Sequence, residues 1–114
     1  MMLNWSEYKQ QIATGVGQIA AASPDILRGY RVLSDASQKS GKLDAKTREL
    51  IALGVAVTRQ CDGCIAVHTD AAIQQGATRE EIAEALGVAI AVNAGAALVY
   101  STRVMDAVQA KLAV

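Results

Sequence analysis

Between Ser23 and Gly41 the apolar residues Ile26, Leu27, Tyr30 and Leu33 recur at one-turn spacing, with polar residues between them. That period predicts an amphipathic helix. Ser23-Pro24-Asp25 opens it with a capping serine, a proline at the first helical position and an acid in the first turn, and Gly41 ends it near Ser40. Asn4 followed by Glu7 opens an earlier helix that runs to about Ala22, loosened by Gly15 and Gly17. Asp44 caps a third helix, Ala45 to about Arg59. Beyond Glu49 this helix reads Leu-Ile-Ala-Leu-Gly-Val-Ala-Val, apolar on all sides, which predicts burial all round. A fourth helix begins near Cys61 or Asp62 and ends at Gly76, and Thr78-Arg79-Glu80-Glu81 is a capping box for a fifth. Ala85 to Thr102 then carries no charge and approaches the length of a membrane span. Its Ala, Gly and Val content, with Asn93, Ser101 and Thr102, instead predicts a buried helix pair broken near Asn93-Ala94-Gly95, with a sixth helix from about Gly95 to Lys111. The expected architecture is all-α: a compact bundle of about six helices in a single domain, residues 1–114.

Composition narrows this picture. The 114 residues are 52% hydrophobic but only 4% aromatic, with 22 Ala, 9 Gly and no Phe, so the apolar content is mostly small side chains. Such a chain is too apolar for disorder and poor in sheet formers. A domain this short has much surface and little core, and with only 19% charged residues it is expected to hide part of that surface in a homo-oligomer. Eleven basic and eleven acidic residues cancel, so no electrostatic footprint for nucleic acid is present. Glu7 and Lys9 interrupt the N-terminus where a signal peptide needs an apolar run. The expectation is a cytoplasmic protein that does not span a membrane.

The reactive inventory is small and clustered. Cys61, Cys64 and His68, the only histidine, fall within eight positions and can share one helix face. Cys61 lies near a helix N-terminus, which favours a thiolate there. A histidine one turn beyond Cys64 can take a thiol proton, and a second thiol three residues away can resolve a sulfenic acid into a disulfide. These positions alone leave open which cysteine attacks. Two packed thiols are one alternative. A zinc site completed by Glu49, Asp62 or Asp70 is another, although structural zinc usually draws on two separated ligand pairs. No strand or later proline supports a thioredoxin-like site, and Ile65 stands where a c-type haem motif needs histidine. Glu49, at the edge of the apolar run, is either a proton shuttle or a surface partner of Lys46 or Arg48.

Arg48-Glu49-Leu50, Cys61-Asp62-Gly63-Cys64, His68 and the phrase Gly76-Ala77-Thr78-x-x-Glu81-Ile82 resemble the carboxymuconolactone decarboxylase-like superfamily, in its alkylhydroperoxidase D-like branch. Glu49, Cys61, Cys64 and His68 meet the pattern E-x11-C-x-x-C-x-x-x-H in full. The resemblance implies an all-α fold and association as trimers or hexamers. It implies a dithiol peroxidase acting on alkyl hydroperoxides or hydrogen peroxide, re-reduced by an external thiol system, with no cofactor or metal. Cys64 would attack the peroxide, Cys61 would resolve it as a disulfide, and His68 and Glu49 would relay the proton. The chain departs from well-studied peroxidase members at Gly63, where they carry a second histidine, and it lacks the N-terminal extension of two-repeat members. Two alternatives remain: a decarboxylase-type lyase using His68 and Glu49, and a non-catalytic thiol sensor or zinc-binding oligomer.

Overall fold

A computed structural model describes residues 1–113. It contains five helices: α1 (Trp5–Ala22), α2 (Pro24–Ser40), α3 (Ala45–Thr58), α4 (Asp62–Gln74) and α5 (Arg79–Leu112). The starts fall where the caps predict. Asn4 Oδ1 accepts from the Glu7 N–H at 3.2 Å, and Asp44 Oδ1 accepts from the Thr47 N–H at 2.8 Å. Thr78 and Glu81 form the reciprocal capping box, with bonds of 3.0 and 2.9 Å. Ser23 departs from expectation, since its side chain caps nothing; Pro24 at the first position suffices to start α2.

The number of helices is five rather than six. Asn93, expected at a break, ties the helix down: Nδ2 donates to the Ala89 carbonyl one turn back and to Thr58 Oγ1 on α3, both at 2.8 Å. Gly95 alone costs a helix only about 1 kcal/mol, too little to interrupt a continuous hydrogen-bond ladder. The two expected C-terminal helices are therefore one helix of 34 residues.

The helices pack in an open series, α2 on α1, α1 on α4, α4 on α3 and α3 on α5. The centre is the α3–α4 hairpin, whose buried residues are Leu53, Ala56, Ala66 and Ala72. These side chains are small, so the helix axes approach closely but bury little volume. Gly54 faces α5, where a Cβ would make an ordinary van der Waals contact with Ala89 Cβ at 3.7 Å. Two expectations of burial fail within one protomer. Ile51 and Val55 of α3 are 53% and 57% exposed, because α4 and α5 leave part of the α3 surface uncovered. No residue of α5 is buried. At 1.5 Å per residue α5 is about 51 Å long against about 21 Å for α3, so its C-terminal half overhangs.

The expected compact bundle is thus an extended chain of helices. Its radius of gyration is 19.0 Å, where a compact domain of this length has about 13 Å. Gly95→Ala tests the continuity of α5, since a Cβ there meets no atom within 4 Å. The substitution should stabilise the protein by about 0.5–1 kcal/mol in thermal or urea unfolding. A loss of stability would place a non-helical backbone at Gly95.

Candidate active site

The turn between α3 and α4 determines where the reactive sulfur stands. α3 ends in a Schellman arrangement: the Cys61 N–H reaches the Ala56 carbonyl at 3.0 Å and the Gln60 N–H reaches the Val57 carbonyl at 3.2 Å. The pivot, Gln60, has φ +52°, a left-handed conformation that costs a non-glycine residue about 1 kcal/mol. α4 ends in the same pair of bonds, with the usual glycine, Gly76, at the pivot. Cys61 is therefore both the second residue past the C-cap of α3, Arg59, and the N-cap of α4. Its Sγ does the work of a capping oxygen, accepting from the Cys64 N–H at 3.2 Å.

This placement divides the charge between the two thiols. Hydrogen bonds from the Cys64 thiol, and from the backbone N–H groups of Cys64 and Gly63, hold the Cys61 thiol below its ordinary range; burial and the nearby Asp62 carboxylate oppose them. Cys64 is pushed up, chiefly because it donates to Cys61, and further by burial and the negative charge of Cys61. Within the pair, negative charge is therefore favoured on Cys61 over Cys64. The helix N-terminus favours that charge position.

His68 lies one turn beyond Cys64 on α4, and its Nδ1 is 2.7 Å from Glu49 Oε2 on α3. The carboxylate accepts there, which leaves Nε2 as the proton-accepting face of the ring. Glu49 is not the surface partner of its neighbours: Lys46 pairs with Glu81 at 2.6 Å, and Arg48 donates to the Leu43 carbonyl. The structure thus brings together all four residues of the sequence pattern. It does not bring Asp70, which pairs with Lys9 of α1 at 2.9 Å. Among the described residues no cluster of three or more His, Cys, Asp or Glu side chains is arranged to hold a metal ion, so the zinc alternative has no converging donor set.

The dithiol opens onto a cleft of about 710 Å³, within the usual range for small-molecule sites. α4 forms one wall with Cys61, Cys64, Val67 and His68, and α1 and α2 form the rest. α1 packs on α4 at Gly63, where a Cβ would stand 3.6 Å from Ile12 Cδ1, an ordinary van der Waals contact. Sequence reasoning did not find this wall. Tyr8 and Tyr30, far apart in the sequence, meet here with Ile12, Val16, Leu27 and Arg31. The available signal was the apolar face of α2, whose Leu27 and Tyr30 line the cleft.

The profile of the carboxymuconolactone decarboxylase family matches residues 24–107. The chain belongs to the carboxymuconolactone decarboxylase family. An uncharacterised protein of Haemophilus influenzae is 42% identical over 107 residues, covering 94% of this chain and 95% of its own. Uncharacterised protein 4 in the cox locus of Paracoccus denitrificans is 36% identical over 93 residues, or 82% of this chain and 84% of its own. The crystal structure of an apo carboxymuconolactone decarboxylase family protein from Legionella pneumophila superposes with a TM-score of 0.74 at 37% identity, covering 90% of this chain and 92% of that one. The resemblance read from the Cys, His and Glu pattern therefore holds at the level of the family, and the pattern is consistent with its alkylhydroperoxidase D-like branch.

The charge division predicts an order of alkylation in this family member. Sub-stoichiometric iodoacetamide near neutral pH should modify Cys61 before Cys64, as mapped by peptide mass spectrometry. Cys64 reacting first would put the resting thiolate on the other sulfur.

Proposed function

We propose that the protein is a dithiol peroxidase that reduces organic hydroperoxides or hydrogen peroxide. The observation that carries this reading is the pair of sulfurs, with Cys61 Sγ set on the Cys64 N–H, at the mouth of a cleft and beside a histidine held by a carboxylate. Cys64 passes its proton to Cys61, and the resulting Cys64 thiolate attacks the terminal oxygen of the peroxide. An S–O bond forms, the O–O bond breaks, and the alkoxide leaves as alcohol with a proton that His68 takes up from water at Nε2 and passes on. Cys61 returns its proton through His68 and attacks Cys64 Sγ. The S–S bond forms, the S–O bond breaks, and hydroxide leaves as water. The thiol pair supplies both electrons, and an external dithiol restores it. Glu49 holds the imidazole and stabilises its charged form. Cys64 has the histidine one turn away, which is why it, and not the more acidic Cys61, is given the attack; the Cys61 thiolate serves as its proton acceptor and then as the resolving sulfur.

We also assign the protein a homo-oligomeric, cytoplasmic state, as a trimer or hexamer. The protomer exposes 8959 Å², where a compact monomer of its mass exposes about 5,900 Å². The excess, about 3,000 Å² per chain, is of the size that obligate oligomers bury. It is concentrated on apolar faces: Ile26, Tyr30 and Leu33 of α2, and Leu98, Val104 and Met105 on the overhanging half of α5. α5 is long and apolar enough to cross a bilayer, but the crystallised Legionella relative shares the fold over nine-tenths of the chain. This favours a partner copy as the cover.

Two experiments test these assignments. Cys64→Ser should abolish peroxide consumption, whereas Cys61→Ser should leave a sulfenic acid on Cys64 that dimedone traps and mass spectrometry detects. The opposite pattern would reverse the two roles. Loss of carbon dioxide from a carboxymuconolactone without disulfide formation on peroxide would instead mean a lyase that uses His68 and Glu49. In sedimentation velocity at micromolar concentration the protein should show no monomer boundary. A monomer with intact helical circular dichroism would overturn the oligomer.

A further inference from the structure

The proposed peroxidase chemistry leaves most of the cleft without a task. Hydrogen peroxide is little larger than water, which occupies about 30 Å³ in the liquid, and would leave nearly all of the 710 Å³ unfilled. The wall opposite the thiols is apolar, built from Ile12 and Val16 of α1 and Leu27 of α2. Such a wall gives hydrogen peroxide nothing to bind, but it can shelter a hydrocarbon body.

The charged groups around this wall sort themselves. Lys9 is held by Asp70 and His68 by Glu49. Asp62 lies beside the thiols, where its negative charge opposes an anion. Arg31 stands on α2, one turn beyond Leu27, and makes no ion pair or side-chain hydrogen bond among the described residues. A guanidinium left free at the rim of an apolar cleft fits a carboxylate, which it can grip with two parallel N–H bonds.

Resting on the peroxidase reading above, we propose that the cleft selects amphipathic hydroperoxides: a hydrocarbon body against Ile12, Val16 and Leu27, a carboxylate on Arg31, and the hydroperoxyl group at Cys64. Repulsion from Asp62 keeps the carboxylate on the α2 side, so the molecule binds in one direction. The reaction is a two-electron transfer in which the thiol pair becomes the Cys61–Cys64 disulfide and the hydroperoxide becomes the hydroxy acid and water.

Single-turnover oxidation of the pre-reduced full chain tests this without any reductant. The protein is mixed with an 18-carbon fatty-acid hydroperoxide, its methyl ester, cumene hydroperoxide or hydrogen peroxide, all below aggregation limits. The mixture is quenched with N-ethylmaleimide and the remaining thiols are counted. The acid should oxidise the pair at least tenfold faster than its ester and faster than the other two. Arg31→Gln should collapse the acid-to-ester ratio toward one, and Arg31→Lys should keep most of it. Equal rates for acid and ester in the unmodified protein, with the disulfide still forming, would overturn the selection and leave the peroxidase reading standing. A ratio unchanged by Arg31→Gln would overturn the role of Arg31. Failure of all four hydroperoxides to oxidise the pair would overturn both readings together.

Discussion

The hydrogen bond from the Cys64 N–H to Cys61 Sγ is the contact on which the site depends. It makes a sulfur the N-cap of α4, and it is possible only because α3 ends in a Schellman turn with its pivot at Gln60. An oxygen cap would satisfy the helix equally well and would do no redox chemistry. The cap geometry also accounts for the acidity difference. Backbone N–H groups and the Cys64 thiol converge on one sulfur, which lowers one thiol of the pair and raises the other. The αL conformation of Gln60 is a small, local cost of bringing two helix ends to one residue.

The second constraint is size. With Leu53 the largest buried side chain, the α3–α4 hairpin has too little volume to stabilise five helices alone. Alanine and glycine let α3 approach both α4 and α5, and Asn93 and Thr58 pin α5 through polar contacts rather than bulk. The apolar area this leaves on α2 and on the end of α5 is therefore not incidental. It is the complement of a small core.

Features set by local backbone chemistry were legible in the sequence. The caps at Asn4, Asp44 and Thr78 mark three helix starts because each bond spans only three residues. The reactive pattern was legible for the same reason on α4, and Glu49 was legible through the family pattern. Its tie to His68 was not: it crosses between helices, and a carboxylate beside Lys46 and Arg48 has local alternatives that only packing removes. The continuity of α5 was missed because Asn93 and Gly95 favour a break locally, while the partner that holds Asn93 lies 35 positions away at Thr58. The cleft was missed because its walls come from three helices, and Gly63 signals a close approach without naming Ile12 as what approaches.

These pieces have different mechanical standing. The sulfur pair, His68 and Glu49 all belong to α3 and α4, the two helices that share the buried residues, so their geometry is held by the best-packed part of the chain. The walls that face a substrate come from α1 and α2, and α2 packs chiefly on α1. Changes in α2 can alter what enters the cleft without moving the atoms that react. In the oligomer proposed above the two would be coupled. The apolar face of α2 carries Tyr30, which also lines the cleft. A partner copy over this face would fix the wall opposite the thiols, while Cys61, Cys64 and His68 stay on the hairpin.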